Sequence, residues 1–255
     1  MVFNIPFNNN RKLEEFVKLA DSSKALQAYW RASNVMSIER LGYSDHGQVH
    51  VKIVANIALR ILRMLIAHGV KPGIVKNYDM KNEDAELIVV AAAMFHDVGV
   101  AWHRDDHERY SVILMQEMLP RMLRGYDEAE VATITSEVAH AILSHETAIK
   151  PATVEAGVVR IADALDMAGG RARIPFNAGA VNIHSVSALA VDKIDIKPGK
   201  KTPVRIEVVM NNPAGIFQFD ELLKRKVHGS GLEHYIELEA EIKGKKKKSF
   251  TKVSI

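Results

Sequence analysis

The stretch LIVVAAAMFHD, residues 87–97, constrains the fold more than any other part of the chain. Nine apolar residues run directly into a His-Asp doublet. In the longer frame EDAELIVVAAAMFHD the segment is apolar nearly all round, as a helix in the middle of a bundle is. It is far too short to span a bilayer, which takes roughly 20 residues. The carboxylate at its buried end is the anomaly. An unpaired carboxylate inside a bundle costs several kcal/mol or becomes neutral, whereas a bound cation removes the penalty and uses the charge. Asp97 therefore asks for a cation, with His96 as the natural co-ligand.

Up to about residue 175 the apolar spacing is helical. Helices are expected over RKLEEFVKLADSSKALQAYWRAS, over HGQVHVKIVANIALRILRMLIAH with Asp45 and Gln48 as a capping box, and over residues 83–97, ended by Gly99. Three more follow: HERYSVILMQEMLPRML, DEAEVATITSEVAHAILSH with the Asp127/Glu130 capping pair, and PATVEAGVVRIADALDMA with Pro151 in its first turn. Beyond residue 180 the period changes to alternation, clearest in YIELEAEI. VDKIDI, VRIEVVM and SFTKVSI are the other strands, and AGIFQFDELLKRKV is an amphipathic helix whose stripe is Ile216, Phe219, Leu223 and Val227. The fold class is mainly α: a helical bundle over residues 1–178, then a small α+β module of β-β-α-β-β order over residues 179–255. That module carries no cluster of ligand-type residues, so it is expected to be structural, docking on the bundle and supporting a homodimer.

Eleven histidines and no cysteine narrow the chemistry. Without thiols there are no disulfides, thiolate nucleophiles or zinc-thiolate sites, and a cytoplasmic setting with no membrane attachment is expected. A net charge of +3 and a pI near 8.9 suit a small anionic partner better than a nucleic acid. The lysine run at 245–248 is expected to be a solvated hairpin tip. His46 and His50 share a helix face four residues apart, and His103 and His107 repeat the spacing after the doublet, with His140 and His145 further on. Asp163 interrupts an apolar helix face, and Asp166 lies one turn beyond it; an ion pair of Asp163 with Arg160 is the plain structural alternative.

Taken together, HVKIVANIA, AAAMFHDVG and RIADALDMAGGR resemble the HD-domain metal-dependent phosphohydrolases, over about residues 40–173. The resemblance implies a helical HD-domain bundle and makes His50, His96, Asp97 and Asp163 the ligands of a first metal. HERYSVILMQEML and AILSHE are similar to the segments that hold a second metal in some relatives. That implies His107 and His145 as its ligands and Asp97 as the bridging, catalytic carboxylate. His46, His140 and Asp166 are then candidate supports around the ligands. Many relatives carry a lysine soon after the doublet that meets phosphate; here Val100 follows HDVG, and His103, Arg104 or Arg171 is expected to bind substrate instead.

Such mixed imidazole and carboxylate donors suit Mn, Fe, Co, Ni or Zn, as one or two divalent ions. The function implied is hydrolysis of a small phosphorylated substrate, a nucleotide or related phosphate ester, by a metal-activated water. Two other functions fit the same residues: a di-iron oxygenase on an HD-type scaffold, and a non-catalytic nucleotide-binding sensor.

Overall fold

The computed structural model describes residues 4–167, 183–243 and 248–250, with the side chains of 184, 185 and 248–250 left out. The helical part comprises α1 (Arg11–Ser22), α2 (Lys24–Asn34, continued by a π-helical turn Val35–Arg40), α3 (Gln48–Ala67) and α4 (Gly73–Tyr78). It continues with α5 (Asn82–Phe95), α6 (His107–Met118), α7 (Glu128–Leu143) and α8 (Val154–Ala164). The central helix is α5, as its all-round apolar character requires, and Leu87 to Phe95 are fully buried between α3, α7, α8 and α1. At about 1.5–3 kcal/mol per large apolar side chain removed from water, this helix anchors the bundle. Among the described residues no helix is long and apolar enough to cross a membrane.

Local chemistry explains where the helices differ from the sequence reading. Residues 11–33 form two helices, because the Ser23 side chain accepts from Leu26 N and starts α2 afresh. The Asp45/Gln48 capping box does not form; Asp45 accepts from Gly47 N, and α3 begins at Gln48. The Asp127/Glu130 box forms as expected. Pro151 lies outside α8, whose cap is Thr153. α5 ends at Phe95, before Gly99, and a 3-10 turn spans Val98–Ala101. The short α4 was not foreseen. It stands on Glu155, a buried carboxylate that accepts from Gly73 N and Ile74 N.

The C-terminal part holds α9 (Ile183–Leu189), β1 (Val191–Pro198), β2 (Val204–Met210), α10 (Arg225–His228), β3 (Ile236–Ile242) and β4 (Lys248–Phe250). The sheet order is β1-β2-β3-β4. β2 and β3 are parallel, with Val204 opposite Ile236, and both outer pairs are antiparallel. The parallel pair needs a crossover, and residues 211–235 supply it. In that crossover the amphipathic segment begins with a π-helical stretch, Gln218–Lys224, which runs into α10. Phe219, Leu223 and Val227 are buried, but Ile216 is exposed and does not belong to the stripe. The 178/179 boundary and most of the lysine run lie outside the described residues.

The module docks on the bundle: α10 packs against α8, and β2 touches α3. The approach is close enough to require a glycine. A Cβ on Gly157 of α8 would lie 2.5 Å from the Ser230 carbonyl oxygen and 3.1 Å from the Leu232 side chain.

Candidate metal centre

The end of α5 is held from two sides. Its last carbonyls have no partner within the helix. Trp30 Nε1 of α2 donates to Met94 O (2.9 Å), Ser33 Oγ donates to Asp97 O (3.1 Å), and Ser111 Oγ of α6 donates to His96 O (2.6 Å). Ser111 Oγ also accepts from Gly99 N at 2.9 Å. The doublet thus sits on a backbone whose position is set by α2 and α6. A Cβ on Gly99 would lie 2.2 Å from His107 O and 2.5 Å from Ser111 N, so the start of α6 packs directly on this turn.

Around the doublet the structure gathers six residues from five segments. His50 (α3), His96 and Asp97 (end of α5) and Asp163 (α8) face one another on one side. His50 Nε2 is 3.3 Å from Asp97 Oδ2, 3.2 Å from Asp163 Oδ1 and 3.1 Å from His96 Nε2. His96 Nε2 is 3.2 Å from Asp97 Oδ2 and 3.7 Å from Asp163 Oδ1. On the other side, Asp97 turns its second oxygen, Oδ1, to His107 Nε2 at 3.3 Å and His145 Nε2 at 3.8 Å, and those two nitrogens are 3.2 Å apart.

These distances fit a cation better than hydrogen bonds. His96 Nδ1 donates to Ala93 O (2.8 Å), His145 Nδ1 to Ile142 O (2.7 Å) and His50 Nδ1 to Asp166 Oδ2 (2.7 Å). Each of these oxygens can only accept, the aspartate being ionised, so the neutral rings carry lone pairs on Nε2. His107 Nδ1 is likewise 2.9 Å from Arg104 O. The Arg104 guanidinium also approaches this ring, 2.7 Å and 3.3 Å from its two nitrogens, a placement near both rather than in line with one. Nitrogen lone pairs therefore meet at 3.1 Å and 3.2 Å, beside carboxylate oxygens. Ligands bonded at about 2.0–2.2 Å to one ion stand roughly 3–3.6 Å apart, as most of these pairs do. Among the described residues, three overlapping sets of side chains could each hold an ion: His50, His96 and Asp163; His96, Asp97 and His145; His107, His145 and Glu146.

Electrostatics in the metal-free chain agree. Burial opposes the His96 charge, but Asp97 and Asp163 outweigh it and raise its pKa to about 9, so a proton takes the place of the cation. Burial also opposes the Asp97 charge, and His96, His46, His107 and His50 hold its pKa well below the usual carboxylate range. Burial, then His96 and His107, lower the His145 pKa to about 3.

The remaining candidates divide. Asp166 sets the His50 ring, as a residue one turn beyond Asp163 can. His46 is buried, its ring 5.9 Å from that of His50, with Nδ1 2.7 Å from Ser44 O. Arg104 reaches the cluster, with Nη2 3.6 Å from Glu146 Oε1. His103 does not; its side chain is more than half exposed and Nδ1 accepts from Asp105 N. His140 makes no contact with the cluster and instead accepts from Ala152 N, ahead of α8. Arg171 lies outside the described residues. Arg160 does not pair with Asp163; Nη1 donates to Ile149 O.

Asp163 pairs instead with Lys226 of α10, Nζ to Oδ2 at 2.6 Å, and the same ammonium is 3.5 Å from Glu146 Oε2. Burial works against the Asp163 charge, yet Lys226 and then the histidines hold its pKa far down; Asp163 and Glu146 in turn raise that of Lys226. The module, expected to be structural, also places a buried lysine on a residue of the cluster. Lys226 lies three residues after Leu223, at the edge of the buried stripe, and that position is the one local hint.

The HD domain family profile matches residues 48–168, the interval that holds all six clustered residues. The chain is also 40% identical, over 91% of its length and 90% of the relative's, to the uncharacterized protein MJ1020 of Methanocaldococcus jannaschii. With the motif order, the buried His/Asp cluster and this match in agreement, the chain belongs to the HD-domain family, whose members are generally metal-dependent hydrolases.

Proposed function

We propose that the chain is a dinuclear metal-dependent phosphohydrolase acting on a nucleotide or related phosphate ester. One observation carries this: the two oxygens of Asp97 address two separate nitrogen pairs, His50 and His96 on one side, His107 and His145 on the other. In this assignment His50, His96, Asp97 and Asp163 hold the first ion, and Asp97, His107 and His145 the second. The ions are divalent transition metals of the Mn, Fe, Co, Ni and Zn group. Bound there, they supply Lewis acidity and a water that deprotonates near neutral pH.

The protein's own part is positional. Asp97 holds both halves of the centre in register, and Ser33, Trp30 and Ser111 fix the backbone that carries it. Asp166 and the carbonyls of Ala93, Arg104 and Ile142 hold the rings with Nε2 turned inward. Arg104 brings a positive charge to the rim, where a phosphoryl oxygen can meet it. No nucleophilic side chain is required.

The test is a phosphate-release screen of metal-reconstituted protein across nucleoside mono-, di- and triphosphates and cyclic and linear diesters, with Asp97→Ala as control. Metal-dependent release that the control lacks is expected. Iron-dependent oxygen consumption without phosphate release would overturn the proposal in favour of oxygen chemistry, and tight nucleotide binding without turnover in favour of a sensor.

A further inference from the structure

We propose that Lys226 is the phosphate-contacting residue of this site, which makes the C-terminal module part of the active centre; the inference rests on the phosphohydrolase reading above. Lys226 is 8% exposed, and an ammonium so deeply placed needs its N–H groups satisfied. It has three to give. One goes to Asp163 Oδ2 at 2.6 Å, a second reaches only to 3.5 Å from Glu146 Oε2, and the third has no partner among the described residues. The group is held in place by one strong bond and keeps donor capacity in reserve.

Glu146 indicates where that capacity is directed. Its carboxylate lies between two cations, Oε2 toward Lys226 at 3.5 Å and Oε1 toward Arg104 Nη2 at 3.6 Å, both loose contacts. A carboxylate oxygen of Glu146 is also within 4.8 Å of ring nitrogens of His107 and His145. A phosphoryl group spans two oxygens in the same way. When it enters, two of its non-bridging oxygens take the positions of the Glu146 oxygens on Lys226 and Arg104, beside the histidine cluster, and Glu146 swings away. With Val100 after HDVG, Arg104 supplies one of these charges from nearby in the chain and Lys226 the other from a segment more than 120 residues further on.

Orthophosphate binding to the cobalt-loaded full-length chain tests this, by calorimetry, with metal occupancy checked from the cobalt(II) visible spectrum. Lys226→Met should load at saturating cobalt and bind orthophosphate about tenfold more weakly or worse, the loss of one charge-assisted hydrogen bond. Lys226→Arg, which keeps the charge, should recover most of that affinity. Unchanged affinity in cobalt-replete Lys226→Met overturns the inference. So does a Lys226→Met chain that never loads cobalt, since the lysine would then only position Asp163. Glu146→Gln, which leaves Lys226 in place, should tighten orthophosphate binding; weaker binding there overturns the exchange. A wild-type chain that binds no orthophosphate overturns the phosphohydrolase reading as well. Wild-type turnover with the same KM and phosphate affinity in Lys226→Met overturns this inference alone.

Discussion

Gly99→Ala is a one-methyl change whose effect can be worked out from distances. The added Cβ would lie 2.2 Å from His107 O and 2.5 Å from Ser111 N, both backbone atoms of the first turns of α6. Cβ contacts under 3.0 Å essentially do not occur, so the backbone at His107 must retreat by at least the difference, about 0.8 Å. Metal-ligand distances tolerate only about ±0.2 Å. His107 Nε2, 3.3 Å from Asp97 Oδ1, would therefore leave the half of the centre that it shares with His145. The first half should survive, because His50 and Asp163 come from α3 and α8. Overpacking of this kind costs about 1–3 kcal/mol. Metal analysis should fall from two ions per chain to one, and urea denaturation should show that loss of stability. A Gly99→Ala chain with two ions and wild-type stability would refute the account of how α6 is placed.

Asp97→Ala should lose both ions, because it removes the one carboxylate among the described residues that faces both nitrogen pairs; a folded variant with unchanged metal content would end the assignment. Asp166→Ala should keep the first ion but weaken it about 10- to 100-fold, the usual cost of removing a ring's supporting acceptor, as read by chelator competition. The His96 pKa, raised from 6.5 to about 9 without metal, sets a pH window. Its protonation contributes stability that is fully present below pH 6.5 and lost as the pH rises through about 9, so the stripped chain should melt progressively lower across that range. At neutral pH an incoming ion must displace that proton, so calorimetry in buffers of different ionisation enthalpy should show proton release and affinity falling toward acid pH. Metal affinity that stays flat from pH 6 to 9 would contradict the raised pKa.

Much of this architecture is written in local signals. α5 and its burial follow from residues 87–95 alone, and α7 from its Asp127/Glu130 box. Asp97 and Asp163 stood out because a carboxylate on an apolar helix face is costly anywhere except around a cation, while the full set of six came from the resemblance of their segments to the HD-domain family. What was not legible depends on partners distant in the chain. The division of the first helix at Ser23 is different, since it had a local signal: the apolar spacing breaks there, the positions three and four after Ala20 being Ser23 and Lys24. Ser33, Ser111 and Trp30 look like ordinary helix residues until the end of α5 is placed among them. Lys226 was not singled out in the sequence, and only the docking of α10 on α8 brings it to Asp163. His140 shows the converse: it was a candidate support for the ligands, and its ring instead holds the backbone of Ala152.

The central claim, that Asp97 joins two metal positions, is tested most directly by anomalous diffraction from crystals of the chain loaded with manganese or zinc. Two anomalous peaks are predicted, one among His50, His96 and Asp163 and one beside His107 and His145, with the Asp97 carboxylate between them. A single peak, or density remote from Asp97, would contradict it.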